Sequence, residues 1–153
     1  MKKIVALVIA SLVSFAIYAQ AADKVSEIIS AREASYGQAA YLACCARGTV
    51  KDEAGYEDAL NVLKEKGFAD SSVNASDKIT MKELAKVCSY TWKIEGSLMC
   101  KLVGSPRYIF RQMKADEVID VSADPMGVPS GRNLLAVITD CIDRYQVKDG
   151  EDK

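Results

Sequence analysis

The chain has 153 residues, of which half are hydrophobic, 27% are charged and 7% are aromatic. Its formal net charge of −1 at pH 7 argues against a nucleic-acid-binding protein, because neutralising phosphates requires a basic surface. The chain has no histidine, which excludes the commonest general base, the commonest zinc ligand and the Ser-His and Cys-His nucleophile pairs.

Residues 1–21 have the layout of a cleaved secretory signal peptide. Lys2 and Lys3 form a positive start, an uncharged and mostly apolar run follows, and Ala19-Gln20-Ala21 places small residues at positions −3 and −1 of a cleavage site. The run is shorter than the about 20 apolar residues that a membrane helix needs. We therefore expect an exported protein, periplasmic or extracellular, with no membrane span after cleavage. All 21 acidic residues and all but two of the 20 basic ones follow the signal, so the mature net charge is −3.

Apolar residues recur at intervals of three and four from Asp23 to Arg47, with Arg32 as the one polar interruption. This spacing predicts one amphipathic N-terminal helix. Gly48 follows at the position where helices commonly end in a left-handed residue, and a polar turn comes next.

A second helix is predicted over Tyr56–Lys66, with Gly67 ending it and Phe68 folding back against it. After a polar loop, Thr80 opens a third helix that continues toward a glycine at position 96. Thr80 and Glu83 have the spacing of a capping box, in which each side chain bonds the other residue's backbone N–H. The apolar face of this helix consists of Met81, Leu84, Ala85, Val87, Cys88 and Trp92.

The C-terminal part of the chain shows a similar succession. A short helix over 97–103 precedes a helix that Pro106 starts and that ends near Ala115. The apolar pair Val118-Ile119, a polar loop and a last helix capped by Ser130 follow, and residues 147–153 form a charged tail. The apolar residues of the last helix are Leu134, Leu135, Val137, Ile138, Cys141, Ile142 and Tyr145.

These two helix–loop–helix segments are related by a shift of 50 residues. The shift places Leu63-Lys64 on Met113-Lys114 and the Thr80 cap on the Ser130 cap. Each unit then consists of a helix, a short apolar segment (Phe68 in one unit and Val118-Ile119 in the other), a polar loop and a capped helix.

One such unit cannot cover its own apolar face. We therefore predict that the units, at about residues 56–93 and 106–145, stack with the N-terminal helix around one core. The predicted fold is all-α with five to six helices, forming one domain over residues 22–146.

The first unit resembles a repeat of the S-layer homology family. The resemblance lies in Ala59-Leu60-x-x-Leu63-x-x-x-Gly67-Phe68 and, after a variable loop, in Ile79-Thr80-x-x-Glu83-Leu84-Ala85. In that family tandem repeats, usually three, hold secreted proteins to anionic cell-wall polysaccharide, and a motif arginine contributes to the ligand site. The resemblance implies polymer binding, but Met81 stands where that arginine would be, and the family's Gly-Tyr-x-Asp-Gly-Thr-Phe loop is missing.

Two groups of side chains are candidate binding residues. Arg107, Arg111 and Lys114 recur at i, i+4 and i+7, so they share one stripe of a helix. With Lys101 nearby, they either hold an anionic ligand or an acidic partner or form a solvated face. Trp92, near the end of its helix, either lines a groove or packs at the edge of the core.

The five cysteines are a further set of candidates. An odd number leaves at least one thiol unpaired in an oxidising compartment, and no CxxC motif supports a zinc or thioredoxin-like site. The cysteines are either small buried hydrophobes or include at least one disulfide. Cys88 and Cys141 form the best single pair, because both lie on apolar helix faces that would meet if the two units packed around a pseudo-twofold axis. The full set is Cys44, Cys45, Cys88, Cys100 and Cys141.

No catalytic motif is present: the sequence lacks GxSxG, SxxK, HExxH and a glycine-rich phosphate loop. We therefore expect a non-enzymatic protein without a metal or cofactor. Two functions fit the sequence. One is an adaptor or assembly subunit that contacts another envelope protein, and the other is a cell-wall polymer-binding module.

Overall fold

The computed structural model describes residues 22–94 and 105–148, and this part of the chain is all-α as predicted. Its β pairing is limited to two isolated bridges, Ser35–Lys78 and Trp92–Val147. The helices are α1 (residues 22–30), α2 (Tyr36–Arg47), α3 (Tyr56–Glu65), α4 (Met81–Thr91), α5 (Pro106–Ala115) and α6 (Gly131–Arg144). None of them is long and apolar enough to cross a membrane.

The single N-terminal helix predicted over Asp23–Arg47 is wrong, because the chain forms two helices there. Ser35 starts α2 with a capping box: its side chain accepts from the Gln38 N–H (3.3 Å), and the Gln38 side chain accepts from the Ser35 N–H (3.2 Å). The Ala34 N–H also donates to the carbonyl of Pro129 (2.7 Å). Capping and this distant contact stabilise a break that the apolar periodicity does not reveal.

The predicted 50-residue repeat is visible in the backbone. α3 and α5 begin and end 50 residues apart, and so do the starts of α4 and α6. The loops match as well, since the carboxylates of Asp70 and Asp120 accept from the N–H groups of Ser72 (2.9 Å) and Ser122 (2.7 Å). In both loops the hydrogen bonds from the serine side chain and backbone hold the pKa of the aspartate below its usual value.

Both α3 and α5 end in a Schellman motif. At α3, the Phe68 N–H donates to the Leu63 carbonyl (2.8 Å), and the left-handed residue is Gly67 with φ +76°. At α5, the equivalent left-handed residue is Glu117 with φ +60°. A side chain at such a backbone conformation is strained, because its Cβ approaches the backbone too closely.

This difference gives opposite expected effects for two substitutions. Gly67→Ala should destabilise the protein by about 1 kcal/mol, and Glu117→Gly should stabilise it by a similar amount. Chemical unfolding of purified protein comprising residues 22–153 measures both effects. Glu65→Gly is the control. Glu65 has an ordinary helical backbone conformation, so glycine relieves no strain there and should destabilise the last turn of α3. A destabilised Glu117→Gly variant would contradict the strain argument.

α1 and α2 form an additional unit that the sequence did not reveal. In chain order it is the first unit, so α3 and α4 form the second unit and α5 and α6 form the third. Each of the three capped helices uses its first N–H to donate to the loop that precedes the capped helix of another unit. These hydrogen bonds are Tyr36 to Asp77, Met81 to Gly127 and Gly131 to Ala31, each 2.9 Å long. Because the third of them returns to the first unit, the arrangement is cyclic.

The residues just before the three caps extend this cycle. The Ile79 N–H donates to the Ala34 carbonyl (3.1 Å), and the Ala34 N–H donates to the Pro129 carbonyl (2.7 Å). Proline has no N–H, so Pro129 cannot supply the third equivalent hydrogen bond. The units therefore lie around a pseudo-threefold axis, and the pseudo-twofold packing considered for the sequence is wrong.

The core lies where the units meet: α2 packs on α3 and α4, and α4 packs on α5. The apolar face predicted for α4 is buried. So are Ile109, Phe110 and Met113 of α5 and the short apolar segment Val118-Ile119. Ile142 was expected to face inward but is 56% exposed, because it lies in the outer part of the last turn of α6, next to exposed Asp143.

The end of α4 also differs from the prediction. The helix stops at Thr91, where Trp92 becomes extended and pairs with Val147, so the break precedes Gly96. The predicted short helix over 97–103 lies outside the described residues.

Candidate functional site

The first residues of the three capped helices, Tyr36, Met81 and Gly131, occupy equivalent places between units. Met81 stands where the resemblance to S-layer homology repeats would require the ligand-binding arginine. None of the three is basic, so an arginine-based anion site is not formed at these positions. Each of the three residues lies at a junction between two neighbouring units, and the three junctions differ in which atoms fill the space there.

Tyr36 fills the place between the first and second units. It is 6% exposed, and its hydroxyl donates to the carboxylate of Glu83. That carboxylate also accepts from the N–H (2.9 Å) and hydroxyl (2.6 Å) of Thr80, which confirms the predicted capping box. Burial alone would raise the pKa of Glu83, but these hydrogen bonds outweigh it and hold the pKa below its usual value.

Glu83 should therefore contribute to acid sensitivity. A carboxyl whose folded-state pKa is lowered stabilises the fold above its unfolded-state pKa, and this contribution is lost as the pH falls through the folded-state pKa. We expect the unfolding midpoint of the wild type to fall more steeply below about pH 5 than that of Glu83→Gln, which keeps a capping side chain without the charge. Urea unfolding across pH 7 to 3 measures the difference. Parallel pH profiles of the two proteins would contradict this role of Glu83.

Gly131 closes the place between the third and first units. A Cβ atom built on Gly131 would lie 1.6 Å from the carbonyl oxygen of Ile28 and 3.3 Å from the Cβ of Ala31. The backbone of the first unit therefore occupies the space that a side chain would need. Only glycine permits this close approach.

Met81 leaves the place between the second and third units open. A cavity of about 580 Å³ lies there, with the buried side chains of Met81, Val118 and Val137 at its base. A second cavity of about 250 Å³ shares Glu117, Val118 and Asp140 with the first and continues along α6. Together they form a trough between α6 and the segment after α5, which we call the α6 trough.

The rim of the α6 trough is acidic. Asp116, Glu117 and Asp120 lie on one side, and Asp140 and Asp143 lie on the other. Arg144 stands at one end, 3.9 Å from Glu117, and its Nε donates to a main-chain carbonyl (2.9 Å). Among the described residues, no group of three or more histidine, cysteine or acidic side chains has the geometry to hold a metal ion.

The structure does not bring the four predicted binding residues into one site. Trp92 is fully buried, so it packs in the core rather than lining a groove, and its indole N–H has no hydrogen-bond acceptor within the described residues. The Lys114 ammonium donates to the carbonyls of Val121 (2.8 Å) and Ala123 (2.7 Å), where it stabilises the loop of the third unit. Arg107 and Arg111 remain exposed on α5.

The structure does bring the two cysteines of the predicted pair together. Cys88 and Cys141 are fully buried thiols whose side chains are hydrogen-bonded to each other. This hydrogen bond and burial raise the pKa of Cys88 well above its usual value. Cys44 is buried elsewhere in the core, Cys45 is half-buried, and Cys100 lies outside the described residues.

The α6 trough could not be found from the sequence alone. Its base combines Met81 of the second unit with Val118 and Val137 of the third, which only the packing of the units brings together. One signal was available: the repeat alignment places Asp140 opposite Tyr90 and Asp143 opposite Lys93, so these two carboxylates have no acidic counterpart in the second unit.

No protein-family model, no curated protein and no solved structure matches the chain.

Proposed function

We propose that this protein is exported, is not an enzyme, and acts by binding another envelope protein in the α6 trough. The observation that carries the proposal is that the place next to Met81 is open, whereas Tyr36 fills one equivalent place and the backbone around Gly131 closes the other. A repeat fold that leaves one such place open has a concave surface for a partner.

The side chains of the trough support a binding role over a catalytic one. Its one hydroxyl group among the described lining residues belongs to Ser122 and donates to Asp120. The same bond joins Ser72 to Asp70 in the other loop, so it belongs to the loop fold and does not mark a nucleophile with its base. The base of the trough is apolar, as is common in binding pockets.

A cell-wall polymer-binding module is the second candidate function. The cyclic arrangement of three units favours it, because S-layer homology proteins, which the second unit resembles, usually carry three repeats. The acidic rim of the trough and the absence of arginine from positions 36, 81 and 131 make an anionic polymer a poorer ligand than a protein.

Photo-crosslinking in the intact envelope tests the first candidate against the second. A photoreactive amino acid is placed at Ala136, which lines the trough, and in a matched variant at Lys86, the equivalent position of the second unit. We expect a crosslinked protein from position 136 and not from position 86. The same protein should not sediment with purified cell wall. Absence of any protein adduct at position 136, together with salt-resistant sedimentation, would favour the polymer-binding function.

Export is tested separately. Mass spectrometry of the protein from the envelope fraction should find an N-terminus near Ala22, as the Ala19-Gln20-Ala21 site predicts. An intact Met1 in the envelope fraction would contradict cleavage of the signal peptide.

A further inference from the structure

We propose that the α6 trough takes an extended basic peptide of about five residues, with an apolar side chain between its cationic ones. This inference rests on the proposed function and adds the chemistry of the partner segment. It depends on the shape of the trough, on its apolar base and on the origin of its charge.

The shape of the trough fits an extended chain. Its α6 wall is formed by residues 133, 136, 137, 140 and 143, which follow one another at helical spacing along one stripe. Such a stripe is about 15 Å long at 1.5 Å per residue. An extended peptide advances about 3.3 Å per residue, so about five residues match that length.

The base of the trough fits an apolar side chain. Met81, Val118 and Val137 are each at most 9% exposed, and they form the bottom of the larger cavity. Val121, in the loop that forms the opposite wall, is 76% exposed, which adds apolar surface beside the opening. A ligand made only of charged groups would leave this surface uncovered.

The charge of the trough fits a cationic ligand. Five carboxylates line it, and Arg144, the cation among its described lining residues, donates to the Asp116 carbonyl and lies 3.9 Å from Glu117. Opposite charge across an interface favours encounter and selects the partner.

The comparison between units shows that the fold does not require most of these carboxylates. Asp120 has a counterpart in the loop aspartate at position 70. The other lining carboxylates correspond to a lysine, a glycine, a tyrosine and a lysine at positions 66, 67, 90 and 93; they are Asp116, Glu117, Asp140 and Asp143. Four of the five charges therefore have no acidic counterpart in the second unit. Glu117 is in addition held at a left-handed φ of +60° that would suit glycine better.

Binding of labelled synthetic peptides to the mature protein tests the inference. The probe is Gly-Lys-Val-Lys-Leu-Lys-Gly, compared with a version carrying glutamate in place of lysine and one carrying glycine in place of valine and leucine. Fluorescence anisotropy should show the tightest binding for the first peptide, with affinity falling as salt is raised. Equal binding of the glutamate peptide, or of the peptide without apolar residues, would overturn the inference.

Two variants separate the trough from general surface charge. Asp140→Asn with Asp143→Asn should weaken binding of the lysine peptide about fivefold or more, because each exposed ion pair is worth about two- to fivefold. Ala136→Trp should also weaken it, because the indole fills the trough without changing the charge. The control Glu65→Gln, on α3, should bind as the wild type does. Wild-type affinity in both trough variants would overturn the inference.

Two results separate this inference from the function on which it rests. A protein crosslinked at Ala136, with no binding of the lysine peptide, would overturn the basic-peptide ligand and leave the protein-binding function in place. A glucosamine oligomer that binds in the trough and loses affinity with Asp140→Asn, while the peptide does not bind, would assign the site to a cationic polysaccharide and overturn both.

Discussion

Replacing Gly131 with alanine is expected to destabilise the protein by about 3 kcal/mol, within the range for overpacking of a buried position. The added Cβ would overlap the carbonyl oxygen of Ile28 at 1.6 Å, and that oxygen belongs to backbone that cannot rotate away as a side chain can. Relief requires α1 to move, which would break the hydrogen bond from the Gly131 N–H to the Ala31 carbonyl (2.9 Å). The cycle of the three units would then open between the third and the first.

Urea unfolding of the mature chain measures this effect, and Gly127→Ala is the matched control. A Cβ on Gly127 would lie 3.3 Å from the carbonyl oxygen of Asp124, a contact that a small adjustment relieves. We expect the control to change the unfolding free energy by less than about 1 kcal/mol, as a residue in an exposed loop does. An equal unfolding midpoint for the two variants would show that the close approach of Gly131 to α1 does not stabilise the fold.

A disulfide between Cys88 and Cys141 is the second large expected effect. The two thiols are neighbours in the core, and each lies in the last turn of its helix, α4 or α6. Oxidation would remove one proton and one electron from each thiol and form the sulfur–sulfur bond, while the disulfide of an oxidant protein accepts the two electrons and two protons and becomes a dithiol. The bond would close a loop of about 50 residues and stabilise the fold by about 4 kcal/mol on the loop-entropy estimate.

Non-reducing peptide mapping of the protein taken directly from the envelope tests the bond. We expect a linked peptide containing Cys88 and Cys141, and a thermal midpoint that falls by about 10 °C on reduction. Cys44→Ser is the matched control, since it removes another buried thiol and should leave both results unchanged. Alkylation of Cys88 and Cys141 without reductant would rule out the bond and leave them as free thiols of the core.

The elements that the sequence predicted well are those with local causes. The Thr80–Glu83 capping box and the turn at Gly67 depend on residues within a few positions of one another, so their patterns are visible in the chain. The start of α5 at Pro106 has the same origin, since proline suits the first turn of a helix.

The features that the sequence did not reveal depend on distant residues. The break before Ser35 is held partly by Pro129, and Trp92, whose backbone pairs with the distant Val147, is buried in the core. The α6 trough exists because Met81 leaves open the place that Tyr36 fills elsewhere, and no residue near Met81 in sequence carries that information. The adjacency of Cys88 and Cys141 was predicted from a pseudo-twofold packing that is wrong, although the two thiols do lie close together.

The cyclic closure of the three units has a consequence for how the chain acquires its structure. The hydrogen bonds from Ala34 to Pro129 and from Gly131 to Ala31 join residues about 100 positions apart, and contacts of such long sequence separation form late and slowly. The first unit, which leaves the ribosome first, therefore cannot form these hydrogen bonds until the last helix has been synthesised. For an exported protein, as proposed above, such a chain suits a translocation channel that accepts only unfolded polypeptides, and the cycle of units would close on the far side.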